Sequence, residues 1–229
     1  HSDTLHSPIT VHVSSSSYST AMEIPTKAII FICSLSFLLA TGSSQAPAPA
    51  PSSDPLDALY VKDCCNATQF PSVCYETLSR YAGDIEQDPG RLAAAAMALS
   101  LSRSSRLSTF LYNVTNQTIP VADKITPQAL SDCISNVDDA VNQIKRSVDQ
   151  INSAVNSTDP QDFRFQMSNV ETWMSAALTD HVTCTDGFDK VTGWPQKDAL
   201  VQQADSVKKI TSNALALANH YETNKTASF

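Results

Sequence analysis

The stretch from Thr126 to Phe188, TPQALSDCISNVDDAVNQIKRSVDQINSAVNSTDPQDFRFQMSNVETWMSAALTDHVTCTDGF, decides the fold. Its apolar residues recur at steps of three and four in two runs, which is the spacing of amphipathic helices. The first run is Leu130, Cys133, Val137, Ala140, Ile144, Val148, Ile151 and Val155, and the second is Phe163, Met167, Val170, Met174, Ala177, His181, Cys184 and Phe188. Thr126-Pro127 and Asp159-Pro160 each offer an N-cap residue followed by proline at the first helical position. Because the link between the runs is short, we expect two long antiparallel helices.

Two further series have the same spacing. One follows Pro195 and comprises Leu200, Ala204, Val207, Thr211, Ala214, Leu217, Ala218 and Tyr221. The other follows Asp88-Pro89 and comprises Leu92, Ala96, Leu99, Arg103, Leu107, Phe110 and Val114. Four long helices with short links predict an all-α fold, an up-down-up-down four-helix bundle over residues 88–222. Residues 56–83 contain shorter helical segments near Asp57–Asp63 and Pro71–Tyr81, which predict an N-terminal helical hairpin extension.

The residues before this domain are interpreted as processing segments. Residues 22–45 have a basic start, a short apolar run and a small-residue end, which is typical of a secretory signal peptide and predicts secretion from the cell. Residues 1–21 are Ser/Thr-rich and lie upstream of that signal, so we interpret them as translated upstream sequence. Residues 46–55 form a Pro/Ala-rich extended tail, and the folded domain is expected over 56–225. The apolar run is too short to span a membrane.

Five cysteines lie beyond the signal peptide, which permits at most two disulfides and leaves one thiol. Cys133 and Cys184 lie at similar distances on either side of the link between the two long helices, and both occupy the apolar seam. In an antiparallel pair such positions are at equal height, so we expect them to form a bridge. The second bridge joins Cys74 to either Cys64 or Cys65.

The charge balance excludes several classes of function. The chain has 15 Lys plus Arg and 23 Asp plus Glu, a net charge of −8, so electrostatics does not favour nucleic acid or anionic membranes. A basic protein is the better partner. The expected mature chain has no CxxC pair, and its histidines are His181 on the seam and His220 near the C-terminus, so we expect no metal, no cofactor and no catalytic apparatus. Asn-x-Ser/Thr sequons for glycosylation occur at Asn66, Asn113, Asn116, Asn156 and Asn224.

Three segments carry a family resemblance: YVKDCCNATQFPSVCYETLSRYA (60–82), SDCISNVDDAVNQI (131–144) and VETWMSAALTDHVTCTDGF (170–188). They strongly resemble the plant invertase/pectin methylesterase inhibitor family, in its esterase-inhibiting branch. The family's Cys-x8-Cys motif falls on Cys65 and Cys74, which leaves Cys64 as the free thiol, and its second bridge falls on Cys133 and Cys184. The resemblance implies a secreted protein of the cell wall that covers the substrate cleft of pectin methylesterase.

The resemblance also implies an interface on the second and third bundle helices. The family's Thr-Cys-x-Asp motif places Thr183 and Asp186 there, although Ser135 stands where many members have an acidic residue. By helical spacing four more polar residues lie on or near the same faces, namely Asp180, Thr172, Asn136 and Asp139. We interpret Trp173 and His181 as core residues.

The alternative target within the family is acid invertase. Its inhibitors often carry a Pro-Lys-Phe motif that this chain lacks. Pectin is itself a polyanion, so an acidic chain is not expected to bind it directly.

Overall fold

The computed structural model describes residues 54–115 and 123–229, so the interpretations of 1–53 and of Asn116 lie outside it. The described residues form seven α-helices and no strand. A hairpin consists of α1 (Pro55–Asn66), α2 (Pro71–Leu78), a 3-10 turn (Ser79–Tyr81) and α3 (Ala82–Ile85), and the bundle consists of α4 (Pro89–Thr115), α5 (Ile125–Val155), α6 (Pro160–Asp186) and α7 (Lys197–Ser228). The predicted fold class, a four-helix bundle with a helical hairpin and two disulfides, is confirmed.

The four long helices form a closed ring. α5 packs against α4 and α6, and α7 packs against α4 and α6. The α5–α6 side and the α4–α7 side are therefore opposite faces of the bundle. Within 54–115 and 123–229, none of the helices combines the length and the hydropathy that a membrane span requires.

The two predicted helix starts have different outcomes. Asp159 caps α6 as predicted, because its carboxylate accepts hydrogen bonds from the backbone N–H groups of Gln161 at 2.9 Å and Asp162 at 2.7 Å. The prediction of Thr126 as N-cap of α5 is wrong. α5 begins at Ile125, and the Asp123 carboxylate accepts from the N–H groups of Ile125 and Thr126, each at 3.0 Å. Thr126 is fully buried inside the first turn.

The buried faces of α5 and α4 drift relative to a strict three-and-four repeat. On α5 the buried residues after Ile144 are Ser147, Ile151 and Ala154, whereas Val148 and Val155 are only half-buried. On α4 the predicted core positions Leu99, Arg103 and Phe110 are half-buried, and the core positions are Ser100, Ser104 and Leu111. A straight helix of 3.6 residues per turn rotates away from a 3.5-residue pattern, which moves the core by one residue.

Two buried polar pairs join α4 to its neighbour α7 and, across the core, to α6. The Ser100 and Thr211 hydroxyls are 2.8 Å apart, and the Ser104 hydroxyl is 3.0 Å from Nε2 of His181. His181 is fully buried, as expected for a seam residue, and burial lowers its pKa to about 4. The imidazole is therefore neutral in the folded protein at ordinary pH.

The hairpin is attached to the bundle by a disulfide-closed loop. Cys65 and Cys74 form the bridge and Cys64 is free and half-buried, which is the pairing that the family motif implies. The loop places Phe70 against α7, where the Asn213 side chain accepts from the Phe70 N–H at 3.0 Å and donates to its carbonyl at 2.9 Å. These bonds fix the hairpin at the α4–α7 side.

Gly90 allows the hairpin-side end of α4 to approach the rest of the bundle closely. A Cβ at this buried position would lie 2.9 Å from Cγ2 of Val155 and 3.0 Å from the Tyr221 ring. Tyr221 in turn packs edge-on against Phe163, with ring centroids 5.5 Å apart. The glycine therefore sits where three bundle helices converge.

Candidate functional site

The polar surface of the α5–α6 pair is the candidate site. Cys133 and Cys184 bridge the two helices with their Cα atoms 4.2 Å apart, so the pair is covalently joined at the end remote from its connecting link. Chain-entropy arguments assign about 4 kcal/mol to closing a loop of this length. We define the α5–α6 face by residues that share outward positions on the two helices: Asp132, Asn136, Asp139, Gln143 and Arg146 from α5, and Thr172, Trp173, Asp180, Thr183 and Asp186 from α6.

The structure places the six residues of the expected interface on these two helices. Thr172, Thr183, Asp186 and Asp139 are exposed, while Asn136 and Asp180 are half-buried.

Several polar side chains of this face donate hydrogen bonds to backbone carbonyls of their own helix. The Thr172 hydroxyl donates to the Ser168 carbonyl at 2.8 Å, and the Thr183 hydroxyl donates to the Thr179 carbonyl at 2.9 Å. The Asn136 amide likewise donates to the Asp132 carbonyl at 2.7 Å. Because the hydroxyl hydrogens are used within the helix, these threonines present methyl groups and acceptor lone pairs outward.

Asp180 and Asp139 form an acidic pair across the two helices. Burial of the Asp180 carboxyl, together with the negative charge of Asp139, raises the pKa of Asp180, and a hydrogen bond from Gln143 partly offsets this rise. One carboxylate oxygen of Asp180 is shielded from solvent without a hydrogen-bond partner among the described residues. An ionised Asp180 is therefore costly in the isolated protein, and a positive group from a partner would lower that cost.

The two ends of the α5–α6 face differ in charge. Asp132, Asp139, Asp180 and Asp186 lie toward the disulfide end, and no salt bridge among the described residues involves any of them. At the other end the Arg146 guanidinium lies 4.8 Å from the centroid of the Trp173 ring. The face thus has an acidic half and a half with a cation and an aromatic ring.

Trp173 differs from its interpretation as a core residue. It is half-buried and lines an open depression of about 270 Å³ together with Arg146, Asp149, Gln150 and Ser153. The residue lies one position before buried Met174, so the apolar spacing placed it next to the seam. The sequence feature that could have indicated a surface position for Trp173 is Arg146, which lies at a similar height on the antiparallel helix α5.

The described sequons all have exposed asparagines. Asn156 lies at the end of α5 in the link to α6, as expected for a loop. Asn66, Asn113 and Asn224 are different, because they lie in helices α1, α4 and α7 and expose side chains rather than irregular backbone. No group of three or more His, Cys, Asp or Glu residues able to hold a metal occurs within 54–115 and 123–229.

Comparisons with known proteins identify relatives of the whole domain. The family model described as plant invertase/pectin methylesterase inhibitor matches residues 59–217. The chain is 35% identical over 201 residues to a 21 kDa protein of Daucus carota, covering 87% of this chain and 97% of that protein. It is 34% identical over 203 residues to pectinesterase inhibitor 9 of Arabidopsis thaliana, covering 88% and 97%.

Solved structures support the same fold. A crystal structure of a mutant form of a pectin methylesterase inhibitor from Arabidopsis matches with a TM-score of 0.55 at 17% identity, covering 68% of this chain and 92% of that chain. At this identity the likeness concerns the fold alone.

Proposed function

The chain belongs to the plant invertase/pectin methylesterase inhibitor family, and from this membership we propose that it binds pectin methylesterase one to one and covers the substrate cleft with the α5–α6 face. Its relatives are named pectinesterase inhibitors, so the chain is an enzyme inhibitor rather than an enzyme. In this role it regulates the removal of methyl esters from pectin in the plant cell wall.

The acidic half of the α5–α6 face is the observation that carries the binding proposal. Its four aspartates have no counter-charge within the described residues, and Asp180 is already partly desolvated beside Asp139. Lys or Arg side chains of a basic enzyme would supply the missing charge on association. The outward acceptor atoms of Thr172 and Thr183 extend the same preference for donor groups on the enzyme.

Secretion to the cell wall is part of this proposal. Two disulfides in the described domain are typical of proteins that fold in an oxidising compartment. The predicted signal peptide and the exposed sequon asparagines point to the same route. An extracellular inhibitor and a wall-resident esterase would then share one compartment.

An inhibition assay with matched variants tests the proposed interface. Purified pectin methylesterase and acid invertase are each mixed with the protein, and the esterase is expected to lose activity. The double variant Asp139→Asn, Asp180→Asn should weaken esterase inhibition by about tenfold or more, because charge-assisted contacts with the enzyme are lost. Asp84→Asn, an exposed carboxylate on α3, is the matched control and should leave inhibition unchanged.

Stability separates an interface effect from a folding defect. Removing two neighbouring carboxylates relieves repulsion in the isolated domain, so the double variant should unfold no more readily than the parent protein. Thr183→Ala and Asp186→Asn extend the test to the motif positions. Loss of invertase activity alone would refute the esterase assignment, and undiminished inhibition by the double variant would refute the α5–α6 interface.

A further inference from the structure

A groove on the side of the bundle opposite the α5–α6 face is lined by three arginines. It lies between the hairpin and α4 and has a volume of about 230 Å³; its lining includes Arg80, Tyr81, Leu99, Ser102, Arg103 and Arg106. A second depression of about 250 Å³ continues over Arg103 and Arg106 to Gln203 and Ser206 of α7. We call the two together the arginine groove. It lies on the α4–α7 side, away from the α5–α6 face.

The three guanidinium groups of this groove have no partner of opposite charge. Within 54–115 and 123–229, no side-chain hydrogen bond or salt bridge involves the guanidinium groups of Arg80, Arg103 or Arg106, and no carboxylate lines either depression. Arg91, by contrast, pairs with Glu86. Three like charges around one concavity repel each other, and a bound anion would offset that repulsion.

The shape of the groove favours a linear ligand with several carboxylates. The α4 lining of the groove runs from Ala95 to Arg106, about three helical turns, so the groove follows the helix axis. Ser102, Arg103 and Arg106 lie within about one turn at its end. Each planar guanidinium matches a carboxylate with two parallel hydrogen bonds. Tyr81, which is 36% exposed, and Leu99 supply apolar surface for a sugar ring.

Neutral polar groups complete the match to a carbohydrate. Ser102, Gln203 and Ser206 line the groove beside the arginines, and their hydroxyl and amide groups suit the hydroxyls of a sugar. A single small anion needs neither these groups nor two joined depressions. The arrangement is therefore that of an acidic oligosaccharide site.

We propose that the arginine groove binds de-esterified galacturonate oligomers, the carboxylate chains that a pectin methylesterase leaves behind. The choice of galacturonate rests on the proposed function, whereas the groove itself does not. A net charge of −8 predicts repulsion of pectin, but net charge does not describe the local field around three clustered arginines. Because the groove and the α5–α6 face lie on opposite sides of the ring, a wall chain and an enzyme have separate places on the inhibitor.

Titration of the isotope-labelled full chain with a purified galacturonate oligomer, followed by NMR, tests the proposal. De-esterified oligomer is expected to shift backbone signals of α4 around Ser102–Arg106 and of α7 around Gln203–Ser206, and added salt should weaken binding. The methyl-esterified oligomer of equal length should cause no such shifts. The double variant Arg103→Gln, Arg106→Gln should weaken binding about tenfold or more, because charge-assisted hydrogen bonds are lost.

Matched variants keep the test interpretable. Arg164→Gln removes one exposed positive charge on α6 and should not change binding. Arg80→Gln changes an exposed residue of the 3-10 turn and should weaken binding even if the double variant folds poorly. Absence of shifts, equal binding of the methyl-esterified oligomer, equal binding of inorganic phosphate at the same residues, or equal weakening by Arg164→Gln would each overturn the proposal.

Esterase inhibition by the same variants separates this proposal from the proposed function. The variant with Gln at 103 and 106 should lose oligomer binding and keep its inhibition of the enzyme. Oligomer binding by a chain that inhibits no esterase would support the groove and refute the inhibitor role. If this variant lost both oligomer binding and inhibition of the enzyme, the separation of the two sites would be overturned.

Discussion

The side-chain amide of Asn213 on α7 forms two hydrogen bonds with the backbone of Phe70, at 3.0 Å to its N–H and 2.9 Å to its carbonyl. One side chain thus bonds to both backbone groups of a residue 143 positions away in sequence, and the Phe70 carbonyl also accepts from the Cys74 N–H at 3.0 Å. The bonds are partly buried, and Asn213 itself is 3% exposed. The hairpin is held to the bundle at this point as well as by its apolar contacts.

Replacing Asn213 should loosen the hairpin. Asn213→Ala removes both bonds and leaves the Phe70 N–H unsatisfied, whereas the Phe70 carbonyl keeps the hydrogen bond from the Cys74 N–H at 3.0 Å. We therefore expect a loss of about 1 to 3 kcal/mol in the free energy of unfolding. Urea denaturation measures the loss, and hydrogen exchange should rise in α1 and α2. Ser212→Ala removes one exposed bond to Gln69 and is the control, with an expected loss of about 0.5 kcal/mol. Equal losses in the two variants would contradict the role of Asn213.

Adding a methyl group at Gly90 should strain the convergence of α4, α5 and α7. Gly90→Ala places a Cβ within 3.0 Å of Val155 and Tyr221, and overpacking of this kind costs about 1 to 3 kcal/mol. The better helix propensity of alanine recovers about 1 kcal/mol, so we expect a net loss of up to about 2 kcal/mol. Gly187→Ala is the comparison, because its nearest contact is 3.4 Å away. Thermal unfolding should show a lower midpoint for the first variant only.

The buried His181 should make stability depend on pH. Its pKa is about 4 in the folded protein and 6.5 ordinarily, so between these values the unfolded chain binds more protons. Stability should therefore fall as the pH drops from about 6.5 to about 4, by on the order of 3 kcal/mol. His181→Gln should lack this part of the decline, while exposed His220→Gln should retain it. Parallel pH profiles for parent and His181→Gln would refute the assignment.

Glu171 on α6 should also make stability depend on pH, but in the direction opposite to that of His181. Burial and the hydrogen-bonded Glu222 carboxyl raise the pKa of Glu171 to about 7 from 4.5. The folded state then holds more protons than the unfolded chain between these values, so stability is lost as the pH rises through this window. Glu171→Gln should raise the unfolding temperature above about pH 7 and have little effect below about pH 4.5. Exposed Glu76→Gln is the control and should change neither end of the profile.

Inhibition of the esterase should respond to both salt and acid. Ionised aspartates of the α5–α6 face attract a basic enzyme, so raising the salt concentration should lower the affinity. Affinity should also fall as the pH drops toward about 4, and it should fall early because the pKa of Asp180 is raised. Inhibition constants measured across salt and pH check this. Constants that stay the same across both series would indicate an apolar interface instead.

The sequence predicted the helices of this fold because their apolar spacing is regular and their links are short. α6 is the clearest case, since every seam residue from Phe163 to Cys184 is buried as predicted. α4 is the poorest, because its core includes Ser100 and Ser104, which carry no apolar signal and are buried only because Thr211 and His181 lie opposite them. Polar core residues that depend on a distant partner cannot be read from local periodicity.

The α5–α6 face and the arginine groove also differ in how far the sequence alone predicts them. Asp180 and Thr183 could be placed on the α5–α6 face from helical spacing and the family motif. The arginine groove could not, because Arg80 comes from the hairpin and Arg103 from α4, where the periodicity assigned it to the core. Only the docking of the hairpin against α4 and α7 brings these arginines together.

The ring order of the bundle also suggests an order in which its parts fold. The pairs α4–α5 and α5–α6 join helices that are neighbours along the chain, whereas α4–α7 joins the first long helix to the last. Contacts between distant segments form late because their loop closure costs more entropy. We therefore expect the α4–α7 side, with the arginine groove upon it, to assemble after the α5–α6 pair.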